Sequence, residues 1–152
     1  PMLTLFCVIP LVIVGAFAPI DESIWEHTKL VVFPIIAWYT IYFFIFKKKE
    51  DINAELWFVT MLINMFVSAL FIPLLYYFIN TGFGIENIIV NIIILFLSLA
   101  IGSLVSAHYY TYGKGINIIY SACITCFIVF VYILFTYSKF NLPIFIETIY
   151  KM

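Results

Sequence analysis

Of 152 residues, only 10% are charged, whereas 66% are hydrophobic and 20% aromatic. A soluble domain needs roughly a quarter Asp, Glu, Lys and Arg on its surface, so this composition excludes one. The net charge is −1 and all seven basic residues are lysines, which leaves no basic stripe to neutralise phosphates and excludes a nucleic-acid partner.

The chain opens on Pro1 rather than Met, as expected of a fragment or a processed form. Residues 2–18 are apolar but short, and Pro10 and Gly15 interrupt them. Three readings stay open here: the end of a spanning helix, a segment that enters the membrane without crossing, or a signal peptide. Ala16-Phe17-Ala18 has the look of a cleavage box, but Pro19 follows directly and no basic region precedes it.

Ser23-Ile24-Trp25-Glu26 fits the Ser-x-x-Glu capping box and predicts a helix over 24–46. Its uninterrupted apolar part, Leu30 to Phe46, is about 25 Å long at 1.5 Å per residue, just enough to span. Pro34 removes one backbone hydrogen bond and predicts a kink. A charged loop, Lys47-Lys48-Lys49-Glu50-Asp51, follows. Further apolar spans are expected over 56–79, 88–110 and 116–137. Loops are read at Asn80-Thr81-Gly82-Phe83-Gly84 and Tyr112-Gly113-Lys114-Gly115 from their breakers, and a short amphipathic tail over 138–152. Together these predict an all-α, polytopic helical membrane protein, with four to five transmembrane helices in one bundle and no soluble module. Residues 1–152 then form a single transmembrane domain.

The three consecutive lysines orient the chain by the positive-inside rule. With the Lys47–Lys49 loop cytoplasmic, the Asp21–Lys29 cluster is extracytoplasmic, as is the Asn80–Asn87 loop. Lys139 and Lys151 are the basic residues that fall on the wrong side.

Asp21-Glu22-Ser23-Ile24-Trp25-Glu26-His27-Thr28-Lys29 concentrates five ionisable residues in nine positions of an otherwise apolar chain. Ionisable groups at a membrane border are costly and point to function. Capping, the helix dipole and the interfacial aromatic belt account for Asp21, Glu22, Ser23, Trp25 and Glu26. His27 and Lys29 resist that account, because a cation near a helix N-terminus is disfavoured by about 0.3–1 kcal/mol. Helical spacing sets Glu22, Glu26 and Lys29 on one face, with Ser23 and His27 on the adjoining one. Carboxylates, an imidazole and an ammonium so grouped suit ion binding, proton relay or acid–base work.

The stretch Ala18-Pro19-Ile20-Asp21-Glu22-Ser23-Ile24-Trp25-Glu26-His27-Thr28-Lys29-Leu30, with Phe33-Pro34 after it, resembles the signature of one family. Its members are small uncharacterised multi-pass membrane proteins of Gram-positive bacteria, defined by a domain of unknown function. They carry a motif like Pro-x-Asn-Glu-Ser-Val-Trp-Glu-His-Leu-Lys, from which Asp21 departs conservatively. The resemblance covers about 16 residues. It implies that Glu22, Ser23, Trp25, Glu26, His27 and Lys29 act as a unit in the bacterial cytoplasmic membrane. It also implies a further N-terminal helix with a Leu-His-Phe-like segment, which these residues do not include. The family lends no activity.

Elsewhere the signals are thinner. Asn80, Glu86, Asn87 and Asn91 fall on the side of His27 and are its expected companions. His108 falls about 30 Å away by helix length and reads as a snorkelling or interhelical group, although Glu26, His27 and His108 are the metal-ligand types at hand. Cys123-Ile124-Thr125-Cys126 has redox or metal spacing, but inside an apolar helix it reads as packing. Ser98, Gly102 and Ser106 give one face of small residues, suited to close approach by a helix of this chain, a second copy or another membrane protein. Asn64 and Ser68 place a polar face mid-membrane. No cofactor is specified, and no phosphate loop, nucleophile elbow or zinc-protease motif occurs in the sequence.

Three functions fit. The leading one is a small membrane protein with a polar outer-leaflet site that binds or transports an ion or small headgroup ligand. The second is a membrane-embedded enzyme acting on a lipid-linked substrate, with Glu26 or His27 as acid–base. The third is a structural subunit of a membrane complex, in contact with lipid like the other two.

Overall fold

A computed structural model describes residues 23–85 and 87–137. Four α-helices make up 86% of the described residues, and no strand occurs among them. They are α1 (Ile24–Phe46), α2 (Ala54–Phe83), α3 (Ile88–Tyr112) and α4 (Ile118–Tyr137). All four are long and apolar enough to cross a membrane, so this is a multi-pass membrane protein.

Each helix starts where a short polar side chain can accept an orphan backbone N–H. Ser23 Oγ accepts from the Glu26 N–H ahead of α1, and Asn53 Oδ1 accepts from the Glu55 and Leu56 N–H groups ahead of α2. Asn87 caps α3 through the Ile89 N–H, and Asn117 Oδ1 takes the Ile119 N–H at α4. Asn53 therefore moves the start of α2 ahead of the first purely apolar residue, and Asn117 delays α4.

The loop expected at Asn80–Gly84 is instead the last turn of α2. Gly82 is tolerated inside the helix, and the stop comes at Gly84, which adopts φ 66° and returns its N–H to the Asn80 carbonyl at 3.0 Å. Only glycine takes that left-handed conformation without steric cost. Pro34 and Pro73 lie within α1 and α2 without ending them.

The hub of the bundle is α2, which packs most extensively on α3, then on α1 and α4; α1 and α3 touch one another little. Val31, Val32, Ile35, Met61, Met65, Ile72 and Tyr132 form the buried core. Phe44, Phe66, Phe78, Ile92, Phe96 and Leu104 face outward, the pattern of a bundle whose solvent is hydrocarbon.

The small-residue face of α3 is spent inside the chain. Ser98, Gly102 and Ser106 are buried. A Cβ on Gly102 would sit 2.7 Å from Asn64 Oδ1 and 3.0 Å from the Asn64 carbonyl, and closer still to Ser68 Oγ. The neighbour of this face within the chain is α2, the first of the three partners that the sequence allows. Close backbone approach is what small residues provide in a membrane, where no hydrophobic force drives helices together.

Candidate functional site

The head of α1 presents three different environments. On one side Lys29 Nζ donates to Glu26 Oε2 at 2.8 Å, and the two side chains are 0% and 2% exposed. The i,i+3 spacing brings the pair together on one helical face. Of the expected capping box, Ser23 forms its half, while the Glu26 carboxylate meets Lys29.

A second side clasps α4. Thr28 Oγ1 donates to the Trp25 carbonyl at 2.6 Å, which leaves it to accept from the Tyr132 hydroxyl at 2.9 Å. The Trp25 indole stacks on the Tyr132 ring, with centroids 4.6 Å apart, and meets Phe135 edge-on at 5.4 Å. Trp25, expected as an interfacial anchor, is thus a packing contact between helices. Tyr132 and Thr28 escaped the sequence reading. Tyr132 lies in an apolar run with no local motif, and matching its depth to that of Trp25 was the one signal available.

On the third side His27 faces α2 and α3. It shares a cavity of about 10 Å³ with Tyr76 and Asn91, among Ile24, Ile72 and Leu95. That is room for one water-sized species. His27 Nδ1 lies 2.9 Å from the Ser23 carbonyl. Since a carbonyl only accepts, Nδ1 is the donor in this contact, and Nε2 is the ring nitrogen left for another partner.

The remaining candidates separate. Asn91 joins His27 at the cavity, but Asn87 is spent on capping α3. Asn80 lies in the last turn of α2, with its Oδ1 buried and without a hydrogen-bond partner among the described residues. Glu22 and Glu86 lie outside the described residues. His108 is exposed at the opposite end of α3, its ring 4.8 Å from that of Tyr112. Among the described residues no group of three His, Cys, Asp or Glu gathers as a metal site. Cys123 and Cys126 are exposed, Cys126 in a groove that α4 forms with α1 and α2, so neither is buried within the bundle as expected.

A second polar cluster, deeper in the bundle, joins α1, α2 and α3. Ser68 Oγ donates to Asn64 Oδ1 at 3.1 Å, and Asn64 Nδ2 donates to the Tyr39 hydroxyl at 3.5 Å. The Tyr39 and Ser106 hydroxyls are 3.4 Å apart. Trp57 fixes this level of α1 by donating Nε1 to the Tyr39 carbonyl at 3.0 Å. Sequence reading found Asn64 and Ser68 but not Tyr39, because tyrosine in a span reads first as an interfacial residue.

A family model of unknown function matches residues 9–151, almost the whole chain. The chain belongs to that family, DUF6512. No curated protein and no solved structure matches it. The family relationship covers all four helices of this DUF6512 chain. What the head of α1 does must come from its own geometry.

Proposed function

We propose that this is a small integral membrane protein that binds a small ion at the His27 cavity. By the positive-inside rule the cavity lies in the extracytoplasmic half of a bacterial cytoplasmic membrane, with the Lys47–Lys49 loop inside. The observation that carries the reading is the oriented imidazole. Its Nδ1 faces the Ser23 carbonyl, and its ring lines a water-sized cavity shared with Tyr76 and Asn91. Imidazole, phenol and amide side chains, the kinds that border this cavity, are groups that can offer a lone pair to a small cation. Glu26 and Lys29 pair beside this site and serve it by fixing the helix head, Ser23 orients the imidazole through its carbonyl, and Trp25 serves it indirectly by seating α1 on α4.

Size favours a small ion over the substrate of the enzyme reading. A cavity of about 10 Å³ does not admit a lipid-linked substrate or a lipid headgroup. Distance favours binding over a continuous transport path. From His27 to Tyr39 is 12 residues of one helix, about 18 Å, and Ile35, Ile72 and Leu99 occupy the interval. Two polar islands separated by apolar packing favour binding over conduction.

Native mass spectrometry with elemental analysis, in mild detergent, tests this on wild type, His27→Ala and His27→Gln. Wild type is expected to carry an ion that both variants lose. An ion-free wild type, with His27→Gln equally stable, would overturn the reading and leave a capping and packing subunit.

A further inference from the structure

The deeper polar cluster borders a groove that the ion site does not use. Because α1 and α3 both pack on α2 but hardly on each other, a cleft of about 250 Å³ runs between them. Pro34, Trp38 and Tyr39 form one wall, Leu99 and Ser103 the other, and Asn64 of α2 the floor. Ser103 lies 15 residues from the start of α3 and nine from its end, about 22 Å and 14 Å. The groove is therefore inside a hydrocarbon core of roughly 30 Å.

Its polar groups are poorly served by the protein. Other α3 hydroxyls bond back to their own helix: Ser98 to the Ile94 carbonyl, Ser106 to that of Ser103, and Thr111 to that of Ala107. The exposed Ser103 hydroxyl has no such partner among the described residues. Asn64 has two amide protons, and the one contact of its Nδ2 is the 3.5 Å approach to Tyr39, at the limit of hydrogen bonding. The Tyr39–Ser106 contact, at 3.4 Å, is as long. Pro34 has no N–H, so the Leu30 carbonyl on the same wall lacks its helical donor. Unmet polar groups facing hydrocarbon cost several kcal/mol in principle, and lipid tails cannot serve them.

We propose that this groove is a binding site for a lipid-soluble carbonyl compound of the quinone class. The occupant must arrive from the bilayer, because the groove opens sideways into it. It must also bring hydrogen-bond acceptors to mid-depth, where the ester and phosphate groups of phospholipids do not sit. A flat apolar ring with two carbonyls and an apolar tail does both. Asn64 and Ser103 donate to the ring carbonyls, and the Trp38 indole, 64% exposed, flanks the ring. No electron transfer is implied.

The test uses the full chain in phosphatidylcholine nanodiscs, titrated with decylubiquinone while tryptophan fluorescence is read. Saturable quenching is expected, with the saturable part lost in Trp38→Phe. Ser103→Ala removes one donor from an exposed position and leaves the fold intact. It is expected to weaken binding about fivefold, the scale of one hydrogen bond. Ser103→Leu, which adds bulk at the groove mouth, weakens it further, and dodecane does not compete. His27→Gln leaves quinone binding unchanged, which separates this site from the ion site. Linear, unsaturable quenching that is identical in wild type and Ser103→Ala would overturn the proposal. So would competition by dodecane as effective as by unlabelled quinone, which makes the groove a seat for lipid tails.

Discussion

Lys29 and Glu26 form an ion pair of 2.8 Å sealed from both water and lipid at the head of α1. Removing one member leaves the other buried without its 2.8 Å partner, a change that costs about 3–5 kcal/mol, while replacing both with neutral groups of similar size is often neutral or stabilising. Lys29→Met and Glu26→Gln are each expected to lower the thermal unfolding midpoint in detergent sharply. The double variant is expected to recover most of the loss. Single variants as stable as wild type would show that the pair is not held in this buried form.

Gly102 is the point of closest approach between α3 and α2. Gly102→Ala places a methyl group against Asn64 and Ser68, and overpacking of this kind costs about 1–3 kcal/mol. Ser98→Ala at the same face loses one hydrogen bond, to its own helix, and no clearance. It is expected to cost less. Thermal unfolding of the two variants side by side checks the order; equal midpoints would mean that α3 does not seat on α2 through this glycine.

The Thr28–Tyr132 hydrogen bond is the polar link between α1 and α4, and the ring stacking of Trp25 surrounds it. Tyr132→Phe keeps the ring and removes the hydroxyl, so a loss of about 1 kcal/mol is expected. A double-mutant cycle with Thr28→Val reads the coupling directly. Thr28→Val alone, with Tyr132 intact, removes the same hydrogen bond from the other side and is expected to cost a similar amount. Strict additivity of the two changes would show that the side chains do not meet.

The helices were legible because membrane spans announce themselves by length and apolarity, and α1 was bounded correctly by Ser23 and the lysine run. The end of α2 was not, because Gly82 reads as a breaker, whereas Gly84 is the glycine whose conformation stops the helix. At the site, the Glu26–Lys29 proximity followed from i,i+3 spacing alone. Contacts across helices did not follow, since Tyr132 lies 104 residues from Thr28 with no periodic signal linking them. Sequence showed that Ser98, Gly102 and Ser106 invite a neighbour, but identifying that neighbour as α2 required the relative rotation of two helices. The oriented ring of His27 likewise depends on a backbone carbonyl, which carries no sequence signature.

Cys123 and Cys126 test whether the outer face of α4 meets lipid. Both are exposed, and with Ile124 and Phe127 beside them exposed as well, the environment predicted for both thiols is hydrocarbon. In a Cys7→Ser background, membrane-permeant N-ethylmaleimide is expected to label both cysteines in intact vesicles. A permanently charged thiosulfonate, which does not enter the hydrocarbon core, is expected to label neither until detergent is added. Rapid labelling of both by the charged reagent would place this face of α4 against water, and the four-span arrangement would then have to give way to one in which α4 lines an aqueous cavity.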